Sequence, residues 1–277
     1  MWFTPLLVLL LIVTLYPLGF VFWMSVQKTQ YFDLVGFVGL KNYIGVFRSQ
    51  AFLDSSRASL IFVFGSLGLA LPTGLIAAIV SNELGRLTSF FRVVTLLPWT
   101  LSMAVVASIW LWLLNPAYGP VSYAFQSLGV SPGLMLGDPD VALYLLVVAT
   151  AWWSFPYVMV IMSAALQSIP KELYEAVSLD GGGPWPKFRF VAWPHLLPTL
   201  GSAGLTLAIL YLTIVTLILV LTGGGPLGAT ATWSYEVFRG TVQTANIAPA
   251  AVYSVVVLVA NLVLGIIYVR STGRITG

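Results

Sequence analysis

The chain has 277 residues, 59% of them hydrophobic and 8% charged, with a mean hydropathy of +0.96 and a net charge of +3. Soluble domains carry about a quarter charged residues, so this composition excludes a surface that faces water all round. The sequence has no Cys, which removes disulfides and thiolate metal sites, and its basic residues lie in loops rather than on one stripe, a balance that fits polar lipid contact and not nucleic-acid binding.

A membrane-spanning helix needs about 20 mostly apolar residues. Six segments qualify, at 4–26, 58–82, 93–114, 141–165, 196–222 and 248–269. They are expected to be helices, because in lipid the backbone must satisfy its own hydrogen bonds and no run shows the alternation of a barrel strand. The predicted fold is a single all-α membrane domain over 1–277. In the first segment, Pro5 to Met24 is too long for a signal h-region, lacks a small-residue cleavage site and ends on Trp23, so it reads as a spanning helix. In the second, Ala70, Gly74 and Ala78 recur every four residues. Such spacing either permits close helix approach or reflects ordinary small residues, and Pro72 is expected to bend this helix. Trp99, Trp110, Trp112, Trp152 and Trp153 fall near presumed helix ends and read mostly as interfacial anchors.

Orientation follows from loop charge. One side carries Arg86, Arg92, Lys171, Lys187, Arg189, Arg270 and Arg274; the other carries Lys28, Lys41, Arg48, Arg57 and Arg239 in longer loops. Loop 115–140 adds Asp138 and Asp140 to the second side and no basic residue. The positive-inside rule puts the first side, and both termini, in the cytoplasm. The predicted location is the cytoplasmic membrane, multi-pass.

Within the spans, Asp, Glu, Lys, Arg and His occur only at the edges. Proton-coupled carriers use ionisable groups in the membrane, so a proton symporter is disfavoured, whereas sodium coupling through carbonyls needs no charge. No phosphate-loop motif occurs, so ATP hydrolysis by this chain is not expected. His195, the one histidine, sits beside Pro194 at a membrane edge and reads as a snorkelling interfacial residue rather than a base or ligand. No nucleophile–base pair can be assembled, and no catalytic residue, metal site or bound cofactor is expected.

In the fourth segment Thr150, Ser154 and Tyr157 share one helical face. This polar stripe either faces a path or partner helix, or its hydroxyls bond back to their own helix carbonyls.

The loop 166–195 carries the strongest pattern. A short amphipathic helix begins near Ser168 and Pro170, with Glu172 and Glu175 near its positive end and Ile169, Leu173, Ala176 and Val177 on one face. Gly181 to Gly183 stop it, and a second short helix bearing Trp185 and Phe188 runs to Pro194. Such a pair can press on a cytosolic partner or lie on lipid as an interfacial hairpin.

Glu175-Ala176-Val177, Gly181 six residues after Glu175, then Val191 and Pro194 resemble the EAA signature of binding-protein-dependent ABC importer permeases. Val177 replaces the usual Ala, Val191 the usual Ile and Trp193 the usual Leu. Four further stretches resemble the carbohydrate branch, in the first-permease type of maltose and glycerol-phosphate systems: Gly39-Leu40-Lys41-Asn42-Tyr43, Phe155-Pro156-Tyr157, Tyr174 with Asp180, and Leu221-Thr222-Gly223-Gly224-Gly225-Pro226. The resemblance covers nearly the whole chain and implies a type I importer permease fold.

It implies that the loop docks in a cleft of an ATPase subunit, with Glu175 as anchor, Gly181 as the turn, and Leu173, Ala176 and Asp180 as supporting contacts. Pro194 and Pro198 would stiffen the junction with the fifth helix. It further implies a second homologous permease, an ATPase dimer that binds ATP and Mg, an extracytoplasmic solute-binding protein, and a solute path along Thr150, Ser154, Tyr157 and Tyr211. Amides of the maltose-type site are matched here by Tyr211, Ile214 and Thr150. The family's basic leader is not found before the first helix, so Met1 is not expected to be the whole native N-terminus. The function expected is translocation of a sugar or sugar-like solute. An ion-coupled or facilitative carrier, and a scaffold displaying the loop, are the alternatives.

Overall fold

A computed structural model describes residues 4–129 and 134–272, so Arg274 and part of loop 115–140 lie outside the described residues. The first apolar run forms α1 (Thr4–Ser25). A two-residue turn at Tyr31 and Phe32 then closes an antiparallel hairpin of β1 (Gln27–Gln30) and β2 (Asp33–Phe37). α2 (Lys41–Phe47) follows. The Gly39–Tyr43 motif ties these pieces together. The Asn42 amide donates to the carbonyls of Ser25 and Gln27 at 2.8 and 2.7 Å, and the Tyr43 and Ser25 hydroxyls meet at 2.7 Å. Asn42 thereby satisfies carbonyls freed where α1 ends.

α3 (Gln50–Glu83) is 34 residues long, with the Ser49 hydroxyl accepting from the Phe52 N–H as its cap. At 1.5 Å per residue it extends about 50 Å, longer than the hydrocarbon core, and it runs on through Pro72. The segment expected as one helix over 93–114 is instead two, α4 (Thr88–Thr100) and α5 (Met103–Leu113), bent by 99°. The break has a local cause. Leu101 and Ser102 take extended backbone, and the Ser102 hydroxyl accepts from the Val105 N–H to start α5 afresh. A short α6 (Pro120–Ser127) follows.

α7 (Pro139–Gln167) is the axis of the fold, with 61% of its apolar window buried against about half that share or less for the other spans. α8 (Lys171–Leu179) is the short helix read from the loop. From α9 (Pro184–Pro186) the chain continues through a wider, π-type turn at Lys187–Ala192 into α10 (Trp193–Thr213). The span expected over 196–222 breaks at Ile214, which is extended, so that α11 (Thr216–Leu221) is a separate piece packed on α5. α12 (Trp233–Phe238) and α13 (Ile247–Thr272) complete the chain.

Among the described residues, four helices are long and apolar enough to cross a membrane, or five with the bent pair taken as one span, and Leu9–Ser25 is a shorter apolar helix. The most extensive packing is between α3 and α7. Ala70 and Ala78 are fully buried there, and a Cβ on Gly74 would stand 2.4 Å from Val158 Cβ. Small residues on this stripe therefore set a close approach of backbones.

Four of the five tryptophans make ring contacts between helices. Trp99 stacks on Trp153 and Tyr157 with ring centroids 4.3 and 5.2 Å away, and Trp110 meets Trp152 edge-on at 6.1 Å. Of the five, Trp112 alone is exposed. The other four pack where the bent pair meets α7.

Candidate functional site: a coupling loop and a buried polar seam

α8 leaves α7 through Ser168, Ile169 and Pro170, with Ile169 buried. Its expected single apolar stripe is divided. Tyr174 and Val177 turn toward the bundle, while Leu173, Ala176 and Asp180 share an outward face with Glu175 beside them, all four exposed. Leu173 is 39% exposed. Burial pushes the Tyr174 hydroxyl above its ordinary value. Glu175 and Asp180 make no side-chain hydrogen bond or ion pair among the described residues. The outward face is thus an apolar patch edged by unpaired carboxylates.

The glycine stop is built from separate requirements. Gly181 sits at φ +78, a left-handed conformation that suits Gly, and its N–H reaches the Ser178 carbonyl at 3.0 Å. Gly182, which spacing did not single out, matters through space: a Cβ there would lie 2.5 Å from Val177 Cγ1 and 2.7 Å from the Val177 carbonyl. Beyond it, Trp185, Phe188 and Trp193 form a chain of ring contacts at 5.8 and 6.0 Å leading into α10. The N–H on His195 Nδ1 donates to the Val191 carbonyl at 2.7 Å, within the π-type turn that Pro194 follows. Its work here is local backbone satisfaction.

At the root of the loop lies a polar knot that sequence reasoning missed. Asn82 Oδ1, near the end of α3, accepts from Arg92 of α4 at 3.3 Å and from Gln167 at the end of α7 at 3.4 Å. The Ser81 and Ser163 hydroxyls meet at 3.2 Å beside it. The helix bearing α8 is thereby fastened to two others. Sequence offered a weak signal, since Asn82 and Gln167 are uncharged amides at span ends.

Of the residues expected on a solute path, Thr150, Ser154 and Tyr211 are buried completely or nearly so. The Thr150 hydroxyl donates to the Leu146 carbonyl at 2.8 Å and the Ser154 hydroxyl to the Thr150 carbonyl at 2.7 Å. Ser154 also meets the Tyr211 hydroxyl at 2.5 Å, joining α7 to α10. Tyr157 stands apart from this seam, half-buried and stacked on Trp99. Ile214 is buried at the break after α10. Replacing Ser154 with Ala strands a buried phenol and is expected to cost about 2 kcal/mol, whereas Tyr211→Phe leaves Ser154 its Thr150 carbonyl and costs about 1 kcal/mol. Thermal unfolding of both variants in detergent, with the double mutant, measures the coupling.

At the far end of the bundle from α8 the chemistry changes from hydroxyls to charge. Glu236 of α12 is 6% exposed and pairs with Arg239 at 2.6 Å. Burial raises the Glu236 carboxyl above the usual carboxylate range, and Arg239 draws it partly back.

Residues 70–277 match the family described as binding-protein-dependent transport system inner membrane component. The trehalose/maltose transport system permease protein MalF of Thermococcus litoralis is 34% identical over 236 residues, covering 85% of this chain and 80% of the relative. The sn-glycerol-3-phosphate transport system permease protein UgpA of Yersinia pestis is 32% identical over 272 residues, covering 98% and 92%. A bacterial alginate ABC transporter, solved in complex with an alginate pentasaccharide-bound periplasmic protein, aligns with a TM-score of 0.85 at 21% identity over 99% of this chain and 93% of that one. The chain belongs to the family of inner membrane components of binding-protein-dependent transport systems, has the ABC importer permease fold, and is a multi-pass transport subunit rather than an enzyme.

Proposed function

We propose that this chain is one of two permeases in an ATP-driven importer of a sugar or sugar-like solute, working with an ATPase dimer that holds ATP and Mg and an extracytoplasmic solute-binding protein. The observation that carries the reading is the outward face of α8, where Leu173, Ala176, Glu175 and Asp180 are exposed on a helix braced from behind by Tyr174 and Val177. Exposed apolar surface edged by unpaired carboxylates on a rigid lever suits a basic, cleft-bearing partner. The names of the relatives, which concern trehalose, maltose and glycerol phosphate, support the solute class.

In mechanism, α8 would be pushed as the ATPase dimer closes. Movement passes along two routes: through the Trp185–Phe188–Trp193 ring chain into α10, and through Asn82 into α3 and α4. The α7–α10 seam at Ser154 and Tyr211 would hold those helices in register while the bundle rocks. With α8 cytoplasmic, as loop charge predicts, the hairpin, α2 and α12 face outward. The solute would meet the Trp99–Tyr157 platform, whose aromatic face suits the C–H face of a sugar ring, more than the sealed Thr150, Ser154 and Tyr211.

The reading is tested by co-expression with the neighbouring transport genes, purification in mild detergent and reconstitution into liposomes. ATP-dependent uptake of a sugar that requires the binding protein is the expected result. Uptake by this chain alone, driven by an ion gradient without ATP, would establish the carrier instead. Within that system, Trp99→Ala and Tyr157→Ala are each expected to raise the solute concentration for half-maximal uptake about tenfold, a change of about 1.4 kcal/mol. Subunit recovery should stay unchanged. Altered assembly with unchanged uptake would make the stack a packing feature only.

A further inference from the structure

A cleft of about 550 Å³ opens at the end of the bundle away from α8, between α2, α12 and the start of α13. Lys41, Ser49, Glu236, Arg239, Asn246 and Tyr253 are among the side chains that line it.

Lys41 belongs to the Gly39–Tyr43 motif and, with the exposed Leu40, is a member whose side chain the fold does not use. Asn42 and Tyr43 are engaged on Ser25 and Gln27, and Gly39 makes the turn at φ +60. The Lys41 side chain is exposed and makes no hydrogen bond or ion pair among the described residues. Nor does helix stability account for it, since a cation in the first turn of α2 meets the positive end of the helix dipole. Across the cleft the one carboxylate, Glu236, is buried and held by Arg239, whose own side chain remains 42% exposed. The cleft therefore presents a free cation and a half-exposed guanidinium, with its only carboxylate already engaged.

We propose that this cleft receives an acidic segment of the solute-binding protein, with a carboxylate of that partner pairing with Lys41 and Arg239 at its mouth. The proposal rests on the importer reading above, which makes this face the one a binding protein must approach. Complementary charges at such a surface set encounter and register, so the pairing controls productive docking rather than the transport step itself.

The test uses the complete reconstituted importer, with its own binding protein titrated at saturating solute. Lys41→Glu is expected to raise the half-saturating binding-protein concentration about tenfold at low salt, with maximal uptake unchanged. The gap should narrow at about 0.5 M salt as the charges are screened. Lys41→Arg should behave as the wild type, and Lys28→Glu, a charge reversal on the same face outside the cleft lining, should change little. An unchanged half-saturation in Lys41→Glu, or an equal shift in Lys28→Glu, overturns the proposal. If Lys41→Glu leaves the binding-protein titration alone but alters the dependence of uptake on anionic lipid, the cleft holds a headgroup and the proposal fails. Wild-type uptake with no requirement for the binding protein would instead sink the importer reading before Lys41 is in question.

Discussion

Glu175→Lys should reduce ATP-driven uptake by about a hundredfold while the protein still inserts into the membrane and folds. Position 175 is exposed and unpaired among the described residues, and surface substitutions of that kind change stability by only about 0.5 kcal/mol. The loss must then come from the partner. Reversing one member of a charge pair that becomes buried at an interface costs about 2–5 kcal/mol, so the lever would no longer be gripped. Recovery of the ATPase after mild-detergent purification and uptake in liposomes are the two readouts. Glu175→Gln, which keeps shape and hydrogen-bonding capacity, should retain part of both. Uptake at wild-type level in Glu175→Lys would remove this residue from the joint and leave Leu173, Ala176 and Asp180 as the surface to test.

The second large effect is expected inside the bundle, at Gly74. A Cβ there would meet Val158 Cβ at 2.4 Å and the Phe155 carbonyl at 2.7 Å. Both belong to α7, the most buried helix, and neither is the end of a flexible chain. Gly74→Val should therefore force α3 and α7 apart, costing about 3 kcal/mol or more, and should lower both the melting temperature in detergent and the recovery of folded protein. Gly68, earlier on the same helix, has open space on its side-chain side, with nothing within 4 Å of where a Cβ would stand. Gly68→Ala is expected to fold normally in the isolated chain, separating a packing clash from a general effect of losing glycine.

The two predictions differ in how readily the sequence discloses them. Glu175 stands in a spacing pattern, and the exposed helix around it follows from Pro170 at its start, carboxylates in its first turns and Gly181 at its end. Such local rules depend on a few neighbouring residues and are legible in one chain. Gly74 was visible as part of a small-residue series, but which helix it met was not. The same division runs through the tryptophans. Their positions near presumed span ends suggested the interface, whereas Trp99, Trp153 and Tyr157 form a stack because α4 packs directly against α7 before the chain turns at Leu101. Pro98 and the capping Ser102 held a hint of that break. Hydropathy averaged over the segment hid it, since apolar content is indifferent to a bend.

Hydrophobicity, proline and glycine act on the backbone locally. From them alone it follows that this chain lives in a membrane, which segments are apolar enough to enter it, and that 166–195 opens with a short helix stopped by glycine. The second helix, expected to be short and to end at Pro194, instead runs on from Pro184 through the π-type turn into α10. Packing settled the rest: Thr150, Ser154 and Tyr211 seal a seam, Asn82 fastens the root of the lever, and Lys41 is left free at the mouth of a cleft. Those outcomes depend on which hydroxyl, amide or carbonyl arrives opposite each group from a helix tens of residues away, and a polar side chain's partner, unlike its hydropathy, is fixed only when the helices pack.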